Sequence, residues 1–324
     1  MGSIAKAAYD SFDYQNIFNA NRDTLVGNPN EIAVGTSLVL PCLDGRLNFD
    51  SELNAISEKE QAKHRDSRNA NALYEPPVKF VTIDDWAPFA DEELLGGGIM
   101  TRLAQTALRR GGNDRDSEFF SINDSAAQID ILVPTGAMDF TSAWMVPDCA
   151  KLDLLSPASA RMCTEFDATL PAYEVAITYV TLTDNAFAAA KTYDDFISAR
   201  MCRPEGWETH MLEEQGLSEP TVTMVRARTS MDCAQAVLDG TADVFVAEIE
   251  LAVDHFEDLG AADQVAYNQS LVEVSAFRYI IAKSNPRARV YIAMVNRGLT
   301  EMRETGEWYD IVSSSLADFN KSRQ

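Results

Sequence analysis

From Val78 to the C-terminus, short β-branched runs alternate with helical stretches, and this alternation limits the possible folds more than any other feature of the chain. Val78-Lys79-Phe80-Val81-Thr82-Ile83 reads as a strand and Ile99 to Leu108 as a helix. Ile131-Leu132-Val133-Pro134 and the segment around Asp139-Phe140-Thr141 continue the strand pattern, and Glu174 to Thr183 is a long β-branched strand. Tyr193 to Ala199, a helix from Cys233 to Leu238 and the run Val244-Phe245-Val246 come next. Phe277 to Ala282 is another strand, and helices from Pro286 to Glu304 and from Glu307 to Phe319 finish the chain. The pattern implies α/β layers. It is too long for one core, so two lobes with a cleft between them are expected.

The part before Val78 reads differently. Residues 1–45 give helix, helix, strand: Ser3 to Tyr9 and Tyr14 to Ala20 each gather apolar side chains on one face. Asn28-Pro29-Asn30 is a turn, and Ser37-Leu38-Val39-Leu40-Pro41 is an edge-strand pattern ended by proline. Residues 46–77 are rich in Asn, Ser, Glu, Lys and Arg and read as a linker, with a solvated helix expected from Asp50 to Ala72. Glu75-Pro76-Pro77 forbids helix continuation and marks a domain boundary.

Charge narrows the partners. The chain has 27 basic and 50 acidic residues, a net charge of −23. A surface this negative repels phosphate backbones and anionic lipid, which excludes nucleic acid and favours cationic or zwitterionic partners. No apolar run approaches the roughly 18 residues of a spanning helix, and nothing at the N-terminus resembles a signal peptide.

Five cysteines bear on the compartment. Cys149 and Cys163 bracket a short segment holding Ser156-Pro157, and Cys202 and Cys233 bracket a longer one. None forms CxxC or a Cys/His cluster, and His64, His210 and His255 lie far apart, so a metal site has no support. Two readings remain: five buried free thiols, or two local disulfides, 149–163 and 202–233, with Cys42 left over. The second is preferred and implies an oxidising compartment. Each such loop closure stabilises by roughly 3 kcal/mol in the chain-entropy model.

Catalytic signatures fail on inspection. The chain contains no GxSxG, HExxH or Walker loop. Gly96-Gly97-Gly98 precedes a helix, but the GxGxxG spacing breaks at Thr101, and a close strand–helix approach explains the glycines better than a phosphate cradle. Neither an enzyme nor a cofactor is indicated.

Two resemblances add to this reading. Ser3-Ile4-Ala5, Ile17-Phe18-Asn19-Ala20-Asn21, Asn28-Pro29-Asn30-Glu31-Ile32 and Val34-Gly35-Thr36-Ser37-Leu38-Val39-Leu40-Pro41 resemble a LysM module that lacks its opening Gly-Asp-Thr-Leu strand. The resemblance implies a small α+β segment, with a packed remnant as the preferred reading and peptidoglycan as a partner as the alternative.

The second resemblance, from Val78 onward, is to the extracellular solute-binding proteins of family 3, the polar-amino-acid binders of ABC importers. Asp85-Trp86-Ala87-Pro88-Phe89 resembles the family's opening strand-end motif, and Gly98-Ile99-Met100 its step into the first helix. Asp139 with Ser142-Ala143-Trp144-Met145 is similar to the segment that meets an α-amino group, and Thr169-Leu170-Pro171-Ala172-Tyr173 to the element closing the first lobe. Arg203-Pro204-Glu205-Gly206-Trp207 stands where the family has a glycine-threonine loop, and the stretch from Leu238 to Glu248 resembles Leu-x-x-Gly-x-x-Asp-Ala-x-x-x-Asp. The most specific match is the terminal pair of helices around Asn296, Leu299, Gly306 and Trp308-Tyr309.

The resemblance implies a two-lobed α/β periplasmic binding protein of type II, the Venus-flytrap form. Lobe 1 would comprise 78–178 and 275–324 and lobe 2 would comprise 179–274, hinged near Tyr179 and Val274. It further implies a monomeric periplasmic protein, its export segment absent from this chain, that works with a membrane permease and holds a small-molecule solute at Trp86, Phe89, Ser142, Trp144, Glu205, Trp207 and Glu248. Glu248 replaces the family's ammonium-pairing aspartate. The family's carboxylate-clamping arginine turn is replaced by Pro147-Asp148-Cys149. Arg161, one residue out of the usual spacing, is the candidate clamp, and an ordinary surface arginine is the alternative reading. Without a transport ligand, the chain reads as a peptidoglycan-associated sensory or scaffolding protein.

Overall fold

The computed structural model describes residues 2–9, 17–18, 21, 32, 36–41, 47–53 and 76–322. It divides the chain into two compact units, Met1–Tyr74 and Glu75–Gln324.

In the first unit, α1 (Gly2–Tyr9) contributes Ala5 to an apolar cluster with Ile17, Leu38 and Leu40. The Asn21 amide ties helical turn to strand: it donates to the Ile17 and Val39 carbonyls at 2.6 and 2.7 Å and accepts the Val39 N–H at 2.7 Å. The strand β1 (Leu38–Pro41) pairs antiparallel with β2 (Leu47–Leu53). This corrects the expectation that a helix starts at Asp50. Leu47, Phe49 and Leu53 recur at even spacing, and a period of two suits an extended strand rather than a helix. The rest of that expected helix, the Asn28-Pro29-Asn30 turn and Cys42 lie outside the described residues.

The second unit runs β3 (Val78–Thr82), α2 (Gly98–Arg110), β4 (Ser117–Ser121), α3 (Ser125–Ala127), β5 (Phe140–Trp144), α4 (Pro157–Glu165), β6 (Phe166–Ala168) and β7 (Tyr173–Leu182). Then follow β8 (Arg200–Cys202), α5 (His210–Glu213), β9 (Thr223–Val225), α6 (Ser230–Leu238), β10 (Val244–Glu248), α7 (Ile249–Asp258), β11 (Val265–Tyr267), β12 (Glu273–Ala282), α8 (Ala288–Thr305) and α9 (Glu307–Ser322). Strand order is β4-β3-β5-β12-β7-β10-β8-β9, with β11 on β7 and β6 on β12. β3 lies parallel to β4 and β5, as a β–helix–β crossover requires.

Two ten-residue strands join the lobes. The first half of β12 pairs with β7 from Glu273↔Ile177 to Phe277↔Tyr173, and its second half pairs with β5 and β6 around Ile280. The second half of β7 pairs with β10 and β11. Each crossing strand therefore carries one end in each lobe's sheet.

Lobe 1 is centred on Phe80, stacked at 4.8 Å between Phe119 and Phe140. The core of lobe 2 gathers Val180, Phe245 and Phe256 around Cys202 and Cys233. Both expected disulfides are formed: Cys202–Cys233 links β8 to α6, and Cys149–Cys163 links the turn after Asp148 to α4.

Two local readings change, and a third, the close approach of the triple glycine, agrees with the expectation. Ile131-Leu132 belongs to a π-helical turn, Gln128–Leu132, because Asp124 caps the preceding turn by accepting the Ala127 N–H at 2.8 Å. The strand of this region starts at Phe140. Tyr193–Phe196 is a 3₁₀ turn closed by a Thr192–Asp195 capping box, so the strand beyond it begins at Arg200. The triple glycine is a close approach: a Cβ on Gly98, whose φ is +88°, would stand 2.7 Å from the Phe89 carbonyl oxygen.

Candidate functional site

Five sequence-derived residues meet at a cavity of about 30 Å³ between the lobes: Trp86, Ser142 and Trp144 from lobe 1, Trp207 and Glu248 from lobe 2. Ile83, Ser125, Gln128, Ala143, Glu208 and Phe277 complete its wall.

Lobe 1 supplies an aromatic and hydroxyl wall. Trp86 is set by a tight turn in which it exchanges backbone hydrogen bonds with Ala90, both at 3.0 Å. Its ring packs tilted on Phe89 at 4.9 Å and edgewise on Phe277 at 4.9 Å, and touches Trp207 across the cleft at 5.9 Å. Trp144 is held from behind: its Nε1–H donates to Thr141 Oγ1 at 2.8 Å, Thr141 donates to Gln128, and the Gln128 amide donates to the Thr82 and Ile122 carbonyls at 3.1 and 2.9 Å. Two backbone outliers border the site, Asp85 at φ +57° and Ala143 at φ +63°. A non-glycine residue in the left-handed region stores strain, which accumulates where a site dictates geometry.

Lobe 2 supplies charge. Glu248 ends β10 and precedes α7, so its carboxylate stands at the strand's C-terminal edge. Arg203 follows β8 and is fully buried behind the cavity. Its Nε–H donates to the Glu208 carbonyl at 2.5 Å and Nη1 to the Val246 carbonyl at 3.0 Å. Nη2 lies 3.4 Å from Glu248 Oε1 and 3.6 Å from Glu208 Oε2. The guanidinium carbon sits 5.3 Å from the Trp207 ring centre, a cation–π arrangement. Burial pushes the Glu208 carboxyl above its usual range, against the pull of Arg203 and of the Met145 N–H that donates to it at 2.9 Å. Three buried polar atoms of the wall have no hydrogen-bond partner in the protein: Trp86 Nε1, Ser142 Oγ and Glu248 Oε2. A buried polar atom without a partner in the protein is expensive, and three of them line this one cavity.

The lobes meet across this cavity in a closed arrangement. Gly206, at φ +78°, brings its turn so near α3 that a Cβ there would lie 2.8 Å from the Ala126 nitrogen. Three glutamates of lobe 2 grip the segment after β5. Glu208 accepts from Met145, Glu214 accepts the Asp148 N–H at 3.1 Å and pairs with Lys151 at 3.0 Å, and Glu213 accepts the Ser156 N–H at 2.8 Å and the Ser159 hydroxyl at 3.0 Å. Burial works to raise the Glu213 carboxyl, but hydrogen bonds from Ser156, Thr209 and Ser159 outweigh it and hold the carboxyl below its usual range.

Three expected residues stand elsewhere. Phe89 is fully buried behind Trp86 and supports its ring instead of facing the cavity. Glu205 is exposed, because Gly206 turns the chain between it and Trp207. Arg161 lies on α4 with its side chain 40% exposed, spanning Glu165 at 3.0 Å and Asp130 at 2.7 Å. Its helix carries it to the surface, outside the wall of this cavity. Sequence reasoning missed Arg203 and Glu208. The available signal was Arg203 itself, a charge directly after the apolar strand pair Met201-Cys202.

No protein-family model and no curated protein sequence matches the chain. Solved structures do. A histidine kinase sensor domain similar to periplasmic binding proteins aligns at TM-score 0.59 with 16% identity, over 75% of this chain and 96% of that one. The substrate-binding protein of an amino acid ABC transporter aligns at 0.56 with 18% identity, over 74% and 98%. The arginine-, lysine-, histidine-binding protein ArtJ from Geobacillus stearothermophilus aligns at 0.56 with 14% identity, over 75% and 96%. The C-terminal unit thus has the two-lobed α/β fold of type II periplasmic binding proteins.

Proposed function

We propose that this protein captures a small cationic or zwitterionic organic solute between its lobes and hands it to the membrane permease of an ABC importer. The observation that carries this reading is Glu248, fully buried at the interlobe cavity with Oε2 unpartnered. A buried carboxylate oxygen calls for a positive partner. The aromatic wall suits the same ligand, since tryptophan faces attract ammonium groups. Closure then follows from contacts that both lobes make to one guest. Two disulfides support a periplasmic setting, and a monomer that performs no chemistry on its guest belongs to the same proposal.

A second reading, a peptidoglycan-associated sensory protein, draws support from the packed Ala5, Ile17, Leu38 and Leu40 within the LysM-like residues and from the sensor-domain neighbour. A thermal-shift screen over amino acids, amines and betaines, followed by calorimetry, separates the two. Stabilisation by one cationic or zwitterionic class is expected. A flat response with retention on peptidoglycan would favour the sensory reading.

A further inference from the structure

The geometry points to a compact amine that carries a neutral hydroxyl or carbonyl, and not an amino acid, as the occupant of the interlobe cavity. This inference rests on the proposed function and narrows its ligand class.

Three properties of the cavity converge. The first is charge. Among the described residues the wall includes two carboxyl groups, Glu208 and Glu248, and no lysine or arginine. The nearby guanidinium of Arg203 is already engaged by the Glu208 and Val246 carbonyls and by Glu248. With both carboxyls ionised, the trio carries one net negative charge, which a single ammonium neutralises and a zwitterion does not. A ligand carboxylate would meet a site of net negative charge and find no free cationic fork of the kind that carboxylates prefer.

The second property is the set of unpartnered atoms. Glu248 Oε2 needs a donor, Trp86 Nε1–H needs an acceptor, and Ser142 Oγ takes either. An ammonium satisfies the first, and one uncharged oxygen satisfies the second and third. A bare alkylamine would leave the tryptophan N–H unmet.

Size is the third. A volume of about 30 Å³ has room for two or three water-sized groups. An amine and an oxygen joined by two carbons, the smallest stable molecule of this kind, has four such groups and exceeds that room by little. A long basic side chain would require the lobes to part and break the Glu208–Met145 bond and the Trp86–Trp207 contact.

Calorimetry of the full chain with ethanolamine and with glycine tests this, because the pair shares an ammonium on two carbons and differs in hydroxyl against carboxylate. Ethanolamine is expected to bind at least tenfold more tightly than glycine. Ser142→Ala, a small change at the wall, should weaken ethanolamine severalfold without altering the melting temperature of the free protein. Glu208→Gln, which removes one negative charge, should narrow the gap between the two ligands. Glycine binding as tightly as ethanolamine would overturn the inference and leave the solute-binding reading intact. No binding by either, nor by any amine or amino acid in the wider screen, would overturn both.

Discussion

Glu208 and Glu248 face one cavity but are held differently. Glu248 has one oxygen against Arg203 and one without a partner, whereas Glu208 is drawn to a backbone N–H of the opposite lobe. Replacing Glu248 by Gln keeps the shape and removes the charge. A cationic ligand should lose about 2 kcal/mol or more, the order measured when one member of a buried charge pair is removed. Unchanged affinity in calorimetry would take Glu248 out of the site. Glu208 adds a pH effect. Its carboxyl is raised by burial, so the closed protein holds a proton that a solvated carboxyl would release, over a window above the usual carboxylate range. A cation entering beside it favours the ionised form. Binding should therefore release a fraction of a proton and strengthen as pH rises through that window. Titrations in buffers of different ionisation enthalpy measure the released proton, and its absence in Glu208→Gln would assign it.

At the scale of elements, the closed cleft depends on α5 and the turn before it. Glu213, at the end of α5, caps α4 from across the cleft by accepting from Ser156 and Ser159, next to the Cys149–Cys163 bridge that holds that segment in place. Each bond to a charged carboxylate contributes roughly 1.5 to 3 kcal/mol. Glu213→Gln should shift the lobes toward opening and raise the dissociation rate of any ligand. Gly206→Ala should do the same by contact, since its Cβ would press on the Ala126 backbone and its φ suits glycine. Small-angle scattering reads the result as a larger radius of gyration in both variants. Wild-type scattering curves from both would remove the carboxylate grip and the glycine approach as causes of closure. None of these contacts is written locally in the chain. The strands β3, β7, β10 and β12 are legible because hydrophobic runs report burial directly. The grip joins residues more than fifty positions apart, in three of its bonds through backbone N–H groups, which carry no side-chain signature.

For the whole molecule, the same distinction explains which parts of the site were readable. Trp86, Trp144, Trp207 and Glu248 are assigned to a cleft by the resemblance of their segments to the family 3 solute-binding proteins, and the strand ends and turns that carry them do meet at one cavity. Arg203 was hidden because a buried arginine looks, in sequence, like a solvated one until its partners Val246 and Glu248 are brought alongside by the parallel pairing of β8 and β10. Buried titratable groups also set how the fold responds to acid. His210 and His255 are each pushed down to about 4 by burial, and His255 Nε2 is held 2.7 Å from Ser230 Oγ. In the unfolded chain both would take a proton near the ordinary histidine value, while the folded protein resists until about pH 4. Their contribution is complete above the unfolded value and is lost as pH falls toward the folded one, up to about 3 kcal/mol for each histidine. Glu208, Glu250 and Glu273, raised by burial, act in the opposite sense and gain stability as they protonate. The net acid limb is therefore a contest that substitution can divide. His255→Gln keeps a hydrogen-bonding group near Ser230 and cannot titrate, so its melting temperature should fall less steeply than the wild type's on acidification from neutrality. Parallel curves for the two proteins would show that His255 is not the buried neutral base that its surroundings demand.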